Sequence, residues 1–273
     1  MNVTPLHHAL DTYIIRGGEA DRARLAVVSR VLFPTTRSLL DRFEPLQGGL
    51  LIDAGFGGGD VTFELAARAG PAGRAIGLDA DEVKVELARQ SAAAQGIDNV
   101  EFYPVDLLDA WPVGGASLVY IRFVLIYMTD PQRLLARARQ ALRPGGILVI
   151  EDIDYDGEFC DPPCSAFNRY SDLFVQAIER RGADPFIGRK LARLLRDAGF
   201  ASVNSVLVQP YGCSGDVKQV QFLTFLGIRD ALLQSGLADA EEIAAIAREL
   251  QVFAQSPQTT LGWPRIFQVW GRV

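Results

Sequence analysis

A glycine-rich stretch offers the residues of this chain that are best suited to bind a ligand. The apolar run Leu50-Leu51-Ile52 reads as a short buried strand, and a helical pattern begins after Asp60. Between them stand glycines at alternate positions: Gly55, Gly57 and Gly59. Because glycine has no Cβ, such a loop turns sharply and lets a ligand approach its backbone closely. A strand, a glycine loop and a helix form the first unit of a nucleotide-binding α/β domain.

The spacing of these glycines separates two classes of ligand. A dinucleotide-binding loop reads G-x-G-x-x-G, and here Asp60 occupies the third glycine position. The chain instead reads G-x-G-x-G, with Asp53 two residues before the first glycine. An NAD(P)-dependent oxidoreductase is therefore disfavoured but left open. A loop that only turns the chain is the other alternative.

An acidic residue, Asp79, ends the next apolar run, from Arg74 to Leu78. In nucleotide-binding α/β folds, a carboxylate at this place accepts hydrogen bonds from ribose hydroxyls. A carboxylate suits this role because it offers two acceptor oxygens and no competing donor. The alternative is that Asp79 caps the helix that starts near Asp81.

Asp53 and the loop after it read D-x-G-x-G-x-G-D, which resembles motif I of the class I S-adenosylmethionine-dependent methyltransferases. Phe56 and Gly58 replace residues that are frequent there, but no required glycine is lost. Two later stretches, Arg122 to Pro131 and the turn Leu142 to Gly146, resemble further motifs of this family in the family's order. The chain is identified as a member of the small-molecule group, which implies S-adenosylmethionine as the cofactor.

The resemblance implies roles for individual residues around that cofactor. Asp79, with Ala80 beside it, would hold the ribose. Asp106 would accept a hydrogen bond from the adenine amine, and the backbone N–H of Leu107 would donate to the ring; a plain loop carboxylate is the alternative for Asp106. Arg122 would line the cofactor site or hold an acidic partner there, or form a buried structural ion pair. The loop completes the expected set: Asp53, Gly55, Gly57 and Gly59.

The segment before the glycine loop is similar to a lead-in found in many small-molecule methyltransferases. Tyr13 to Leu25 contains a tyrosine, a glycine turn, an acidic residue and an Arg-Leu pair. The resemblance implies a lid over the cofactor, with Tyr13 at its methionine end; a surface helix with solvated charges is the alternative. Apolar residues recur at near-helical spacing from Arg24 to Arg42, and Pro34 interrupts them, which predicts two helices.

The motifs and their order predict an α/β fold. We expect a Rossmann-like, seven-stranded, mostly parallel sheet with an antiparallel last strand, helices on both faces and a helical cap. Residues 1–47 would form an N-terminal helical lid and residues 48–273 the methyltransferase domain. Apolar-faced helical insertions at about 156–182 and 217–254 would form the cap over the carboxyl edge of the sheet, where ligands bind in such folds.

Candidate catalytic residues follow the fifth expected strand. The usual O-methyltransferase base is a histidine in the second half of the chain, whereas the only histidines here are His7 and His8. The remaining candidates to orient or deprotonate an acceptor are carboxylates at the end of a parallel strand: Glu151, Asp152 and Asp154. Their alternative role is to cap the next segment.

The composition of the chain limits the classes of partner that we expect. The chain has 273 residues, a net charge of −6 and 49% hydrophobic residues, which is typical of a globular protein. It contains no long basic run, so neither nucleic acid nor an anionic membrane surface is expected as a partner. We expect no signal peptide and no membrane span. The odd cysteine count and unmatched spacing predict free thiols in a cytoplasmic protein and no metal: Cys160, Cys164 and Cys213.

These observations predict methyl transfer from S-adenosylmethionine to an oxygen, nitrogen or carbon atom of a small molecule, with secondary metabolism left open as the setting. The apolar cap favours a partly hydrophobic substrate. The same apolar residues could bury a homodimer interface. The alternative function is a protein that binds the cofactor in a methyltransferase fold without methylating, for a different reaction or a structural or sensing role.

Overall fold

The structure is a computed structural model and describes residues 13–15, 17 and 21–273. The strands of the described residues are β1 (Leu50–Ala54), β2 (Arg74–Asp79), β3 (Val100–Pro104), β4 (Ala116–Arg122), β5 (Leu142–Asp154), β6 (Phe159–Asp161), β7 (Ala201–Val208), β8 (Tyr211–Gly212), β9 (Thr260–Gly262) and β10 (Arg265–Arg272). The helices are α1 (Arg22–Leu40), α2 (Asp60–Ala69), α3 (Glu82–Gln95), α4 (Pro131–Ala141), α5 (Ser165–Glu179), α6 (Leu191–Asp197), α7 (Asp216–Ser235) and α8 (Ala240–Gln255). Short 3-10 turns cover Asp41–Phe43, Leu125–Tyr127 and Gly188–Lys190.

The central sheet has seven strands in the order β3-β2-β1-β4-β5-β10-β7. Strands β1 to β5 pair in parallel, and β10, the last strand in the chain, is antiparallel to both β5 and β7. The predicted sheet is confirmed, including its antiparallel last strand. The strand order reverses direction between β1 and β4, and ligands of open α/β sheets bind at the carboxyl ends of strands beside such a point.

Apolar side chains cover both faces of the central strands, because parallel strands in such folds are buried between helices. Successive residues alternate between the faces: Leu51 packs with α2 and the end of α1, whereas Ile52 packs with the core that includes α4 and α6. On the first face, the core also holds Leu118, Tyr120 and Val149. The predicted helices on both faces are therefore present.

The first helix differs from the prediction. Two helices separated at Pro34 were expected, but α1 runs from Arg22 to Leu40 with Pro34 inside it. Proline removes one main-chain donor, which local sequence reasoning takes as a break. Here Val28, Leu32 and Leu39 lie on one buried face of the helix. This packing holds the segments before and after Pro34 in one continuous helix.

Three short strands form a second sheet that the sequence did not reveal, in the order β6-β9-β8. Strands of two or three residues are too short to show a periodic pattern. Next to this sheet, α5 packs against α7 and α8, and α1 packs against α7. Helix α7 also meets the N-terminal segment, because a Cβ on Gly227 would lie 2.8 Å from Ile15.

Phe56 in the glycine loop anchors that loop on the sheet. Its ring packs edge-on against Phe102 of β3, with the centroids 5.0 Å apart. Both rings lie over Gly77 of β2, where an added Cβ would meet Phe102 at 2.6 Å and Phe56 at 2.9 Å. The aromatic residue that departs from the common motif is thus accommodated by a glycine in the neighbouring strand.

We predict that Gly77→Ala lowers the free energy of unfolding by about 1–3 kcal/mol, because the new methyl group overpacks these two rings. Urea denaturation followed by circular dichroism measures the change. Gly114→Ala is the matched control, since no atom lies within 4 Å of the place that its new methyl group would take, and it should change stability by less than about 0.5 kcal/mol. Equal effects of the two substitutions would contradict the close packing at Gly77.

Candidate active site

A cavity opens at the carboxyl ends of β1, β2 and β4, beneath α1, α5 and α7. Its charged lining residues all come from α1, the start of α2 and α3, and the ends of these strands: Arg24, Asp53, Asp60, Asp79, Asp81, Lys84 and Arg122. The opposite part of the wall is formed by aromatic, aliphatic and uncharged polar side chains. We call the part of the wall supplied by α1, α2, α3 and these strand ends the charged half, and the part supplied by α5 and α7 the uncharged half.

Asp79 fixes the geometry of the charged half. Its Oδ2 accepts a hydrogen bond from the backbone N–H of Gly57 at 3.0 Å, and its Oδ1 accepts one from the N–H of Asp81 at 3.0 Å. The cap of α3 is Asp81, whose side chain accepts from Val83 and Lys84. Asp79 is thus not the cap of that helix. Its remaining lone pairs can accept hydrogen bonds from hydroxyl groups of a ligand at the cavity wall.

The glycine loop needs its glycines for backbone reasons. Gly55, Gly57 and Gly59 have φ values of +82°, +57° and +85°, a region that other residues enter only with strain. At Gly55 a Cβ would also come within 2.3 Å of Val124. The backbone conformation of the loop and its packing against Val124 therefore both require glycine.

Asp53 lies under this loop and is 2% exposed. Its Oδ2 accepts a hydrogen bond from Thr62 of α2 at 2.7 Å. Burial raises its pKa from 3.8 to about 7, although Thr62 and the positive charge of Arg122 act in the opposite direction. Asp53 therefore joins β1 to α2 and titrates near neutral pH.

The structure separates the residues expected around adenine. The side chain of Leu107 lines the cavity and lies near Gly55. Asp106 is buried and caps its own turn, with Oδ1 accepting from the N–H of Leu108 at 2.9 Å, and it does not line the cavity. Ala80 lines the wall beside Asp79.

Tyr13 stands in the charged half, in a cluster that joins the N-terminal segment to α1 and α3. Arg24 donates to Asp21 at 2.6 Å and to the Tyr13 hydroxyl at 3.2 Å. Lys84 lies 3.6 Å from Asp21 and over the Tyr13 ring. The rings of Tyr13 and Tyr127 meet edge to face at 4.9 Å, and burial raises the pKa of the Tyr13 phenol. The sequence did not indicate that Asp21 and Lys84 belong to the site, because their ion pair joins segments that are far apart in the chain.

Arg122 is held at the cavity wall by a buried polar network. Glu151, fully buried, accepts hydrogen bonds from Thr36 of α1 at 2.7 Å, from Gln268 of β10 at 2.8 Å and from Tyr120 of β4. Arg122 lies 3.5 Å from the Thr36 hydroxyl. The network connects the first helix, the middle of the sheet and the last strand, and it gives Glu151 a positioning role.

The other two catalytic candidates have internal partners as well. Asp152 is buried and accepts from the N–H groups of Leu125 and Ile126, at 2.8 and 3.3 Å, which caps the short turn after β4. Its burial raises its pKa to about 7. Asp154 forms an ion pair with Arg189. Neither residue, nor Glu151, lines the cavity, so the structure does not bring the three to the place where an acceptor would lie.

Other candidates for chemistry are limited. Among the described residues, no group of three or more His, Cys, Asp or Glu side chains could hold a metal ion. The three cysteines are free thiols. His7 and His8 lie outside the described residues. Within the part of the chain that the structure describes, no helix is long and apolar enough to cross a bilayer.

The sheet order, the glycine loop after β1 and the acidic end of β2 define a Rossmann-like nucleotide-binding protein. The chain belongs to a methyltransferase-domain family, whose sequence model matches residues 47–199. It is 34% identical over 172 residues to O-methyltransferase cnsE of Penicillium expansum, covering 62% of this chain and 58% of that protein. It is 27% identical over 231 residues to nocamycin O-methyltransferase of Saccharothrix syringae, covering 84% and 72%.

Solved structures show the same fold. Phosphoethanolamine N-methyltransferase 2 of Haemonchus contortus, in complex with S-adenosyl-L-methionine, is similar with a TM-score of 0.58 and 15% identity, over 100% of this chain and 60% of that one. At this identity the likeness concerns the fold alone. The chain spans roughly half the length of the first curated relatives that it matches.

We predict that Glu151→Gln destabilises the protein by about 1–3 kcal/mol, because the new amide N–H group faces donors and leaves at least one of them unpaired. The free energy of unfolding in urea measures this loss. Glu249→Gln, at an exposed position of α8, is the control and should stay within about 0.5 kcal/mol of the parent protein. A neutral result at Glu151 would contradict the network.

The raised pKa of Asp53 predicts a pH dependence of stability. Between about pH 4 and pH 7 the folded protein retains a proton on Asp53 that the unfolded chain releases, so this group's contribution to stability falls as the pH rises through that window. Asp53→Asn should therefore lose less stability than the parent protein between pH 5 and pH 8. Urea unfolding at both pH values measures the difference, and Asp98→Asn, at an exposed position, is the control. Identical pH slopes for the Asp53 variant and the parent protein would contradict the shifted pKa.

Proposed function

We propose that this protein transfers a methyl group from S-adenosylmethionine to an oxygen, nitrogen or carbon atom of a small, partly hydrophobic molecule. The cytoplasm and secondary metabolism are the proposed setting. The observation that carries the proposal is the Asp79 carboxylate, which is hydrogen-bonded to Gly57 of the glycine loop at one end of a cavity whose other end is aromatic. The named relatives support methyl transfer over a protein that only binds the cofactor.

The residues present suit S-adenosylmethionine. A ribose would lie against Asp79, where lone pairs remain for its hydroxyls. The backbone of Gly55, Gly57 and Gly58 lines the cavity, and without side chains it lets the cofactor approach closely. Leu107 offers an apolar surface to adenine. The charged amino-acid end of the molecule would face the positive charges of Arg24 and Lys84 and the carboxyl group of Asp53.

When bound, the cofactor supplies a methyl group on a sulfonium whose leaving group is a neutral thioether. The chain's own task is then to align the acceptor with that methyl group and to exclude water. Such alignment contributes about 7–11 kcal/mol in favourable systems. The cavity walls formed by α1, α5 and α7 would hold the acceptor in this alignment. An acceptor that enters protonated would in addition have to lose its proton.

We also propose that the N-terminal segment serves as a lid. Tyr13 and Ile15 are buried or half-buried against the cavity, and an added Cβ on Gly17 would lie 2.8 Å from Asp81, next to Asp79. The Asp21–Arg24–Lys84 cluster fastens this segment to α3. The insertions that carry α5, α7 and α8 form the cap on the other side.

We predict that the protein binds S-adenosylmethionine and S-adenosylhomocysteine with micromolar affinity and that Asp79→Ala weakens both by about 10-fold or more, because a charge-assisted hydrogen bond contributes about 1.5–3 kcal/mol. Isothermal titration calorimetry measures the affinities. Asp130→Ala is the control, since Asp130 caps α4 away from the cavity. NADH is a further control ligand and should not bind.

Two results would overturn parts of this proposal. If the parent protein binds neither sulfur compound, S-adenosylmethionine is not its cofactor. If it binds both and Asp79→Ala binds them equally well, the ribose lies elsewhere. Circular dichroism of Asp79→Ala distinguishes a lost contact from a collapsed loop, because Asp79 also holds Gly57 in place.

A further inference from the structure

Part of the cavity wall is aromatic and carries no charged side chain. It contains five aromatic side chains, which define what we call the aromatic chamber: Tyr127, Tyr155, Tyr170, Phe174 and Trp263. Tyr155 and Phe174 stack with their ring centroids 4.4 Å apart and an interplanar angle of 16°. Flat walls of this kind favour a flat, aromatic occupant, because offset-stacked and edge-to-face contacts add to the burial of apolar area.

The polar groups of the chamber are neutral. The Tyr155 hydroxyl donates to the Tyr170 hydroxyl at 2.7 Å, and burial raises the pKa of both phenols. Among the described residues, none of the charged side chains that line the cavity comes from α5 or α7. The nearby Glu158 carboxyl is buried, and burial raises its pKa to about 8, so it does not add a negative charge at neutral pH. An occupant with a net charge would lose its hydration against a wall of neutral side chains from α5 and α7, so an uncharged molecule is favoured.

One face of α7 closes the chamber with Val220, Gln221 and Thr224, which lie at i, i+1 and i+4 along the helix. Gln221 is 3% exposed, and its amide oxygen has no hydrogen-bond partner among the described residues. A buried polar group without a partner costs about 1–3 kcal/mol. The unpartnered atom is the amide oxygen, an acceptor, so a ligand that offers a hydroxyl or N–H donor would satisfy it.

We propose that Gln221 is a specificity-determining residue that accepts a hydrogen bond from a hydroxyl or N–H group of an uncharged, planar aromatic methyl acceptor. This inference rests on the proposed function, because it names the substrate class of the same site. The aromatic side chains select the flat ring system, and the amide selects molecules whose donor satisfies it. Sites built around a buried hydrogen-bonding group discriminate strongly against ligands that lack the matching group.

The probes for this proposal are 2-naphthol, which carries a hydroxyl donor, and 2-methoxynaphthalene, which has the same ring system without one. Equilibrium dialysis gives the affinity of each for the full chain, with and without saturating S-adenosylhomocysteine. The variant Gln221→Leu keeps the approximate volume and removes the amide. Gln234→Leu, at an exposed position of the same helix, is the matched control.

The parent protein and Gln234→Leu should bind 2-naphthol about 5- to 20-fold more tightly than its methyl ether. In Gln221→Leu the ratio should fall towards one, mainly because 2-naphthol binds more weakly. A ratio near one in the parent protein, or an unchanged ratio in Gln221→Leu, would overturn the role of Gln221. Failure of both probes to bind would overturn the aromatic chamber as an acceptor site.

The proposed function fails separately from this inference. Calorimetry with S-adenosylhomocysteine tests the cofactor in the same preparations. If the cofactor product does not bind while the naphthol preference is present and depends on Gln221, the chamber recognises such molecules for another purpose. If the product binds equally to the parent protein and Gln221→Leu, and the naphthol preference is absent, the methyltransferase proposal stands and the substrate class is wrong.

Discussion

The buried carboxylate of Glu151 joins the parts of the structure on which the cavity depends. It receives hydrogen bonds from α1, β4 and β10, elements that are far apart in the sequence. A carboxylate without solvent is costly unless donors surround it, and here three side chains do so. Because Thr36 belongs to the network, the first helix is held against the sheet, and the segment that precedes it is carried to the cavity mouth.

The wall of the cavity presents two different electrostatic environments. Near the glycine loop, charged groups of both signs lie close together, and Asp53 remains protonated up to about neutral pH because it is buried. Around the aromatic chamber, the polar groups are phenols, an indole N–H, a hydroxyl and an amide. A charged, flexible cofactor and an uncharged flat acceptor would each find the environment that lowers the cost of its desolvation.

The sequence predicted those features that local spacing determines. The glycine loop, the acidic end of β2 and the seven-stranded sheet follow from short motifs in a fixed order. It did not predict contacts between distant segments. Pro34 was taken as a break because the packing of Val28 and Leu39 cannot be read locally, and Glu151, Asp152 and Asp154 were taken as acceptor-facing because their partners, such as Gln268 and Arg189, come from other elements. Gln221 looked like any polar residue of an amphipathic helix.

The separation of the two halves also bears on how such proteins diversify. Gly55 can accept no side chain without moving Val124, so the cofactor half has little freedom to vary. The chamber is lined in part by side chains of α5 and α7, which lie in insertions outside the order of the nucleotide-binding strands. Substitutions on these two helices can reshape the chamber while the glycine loop stays unchanged. Related proteins could therefore evolve to bind new acceptors through substitutions on α5 or α7, while the residues that bind the cofactor stay the same.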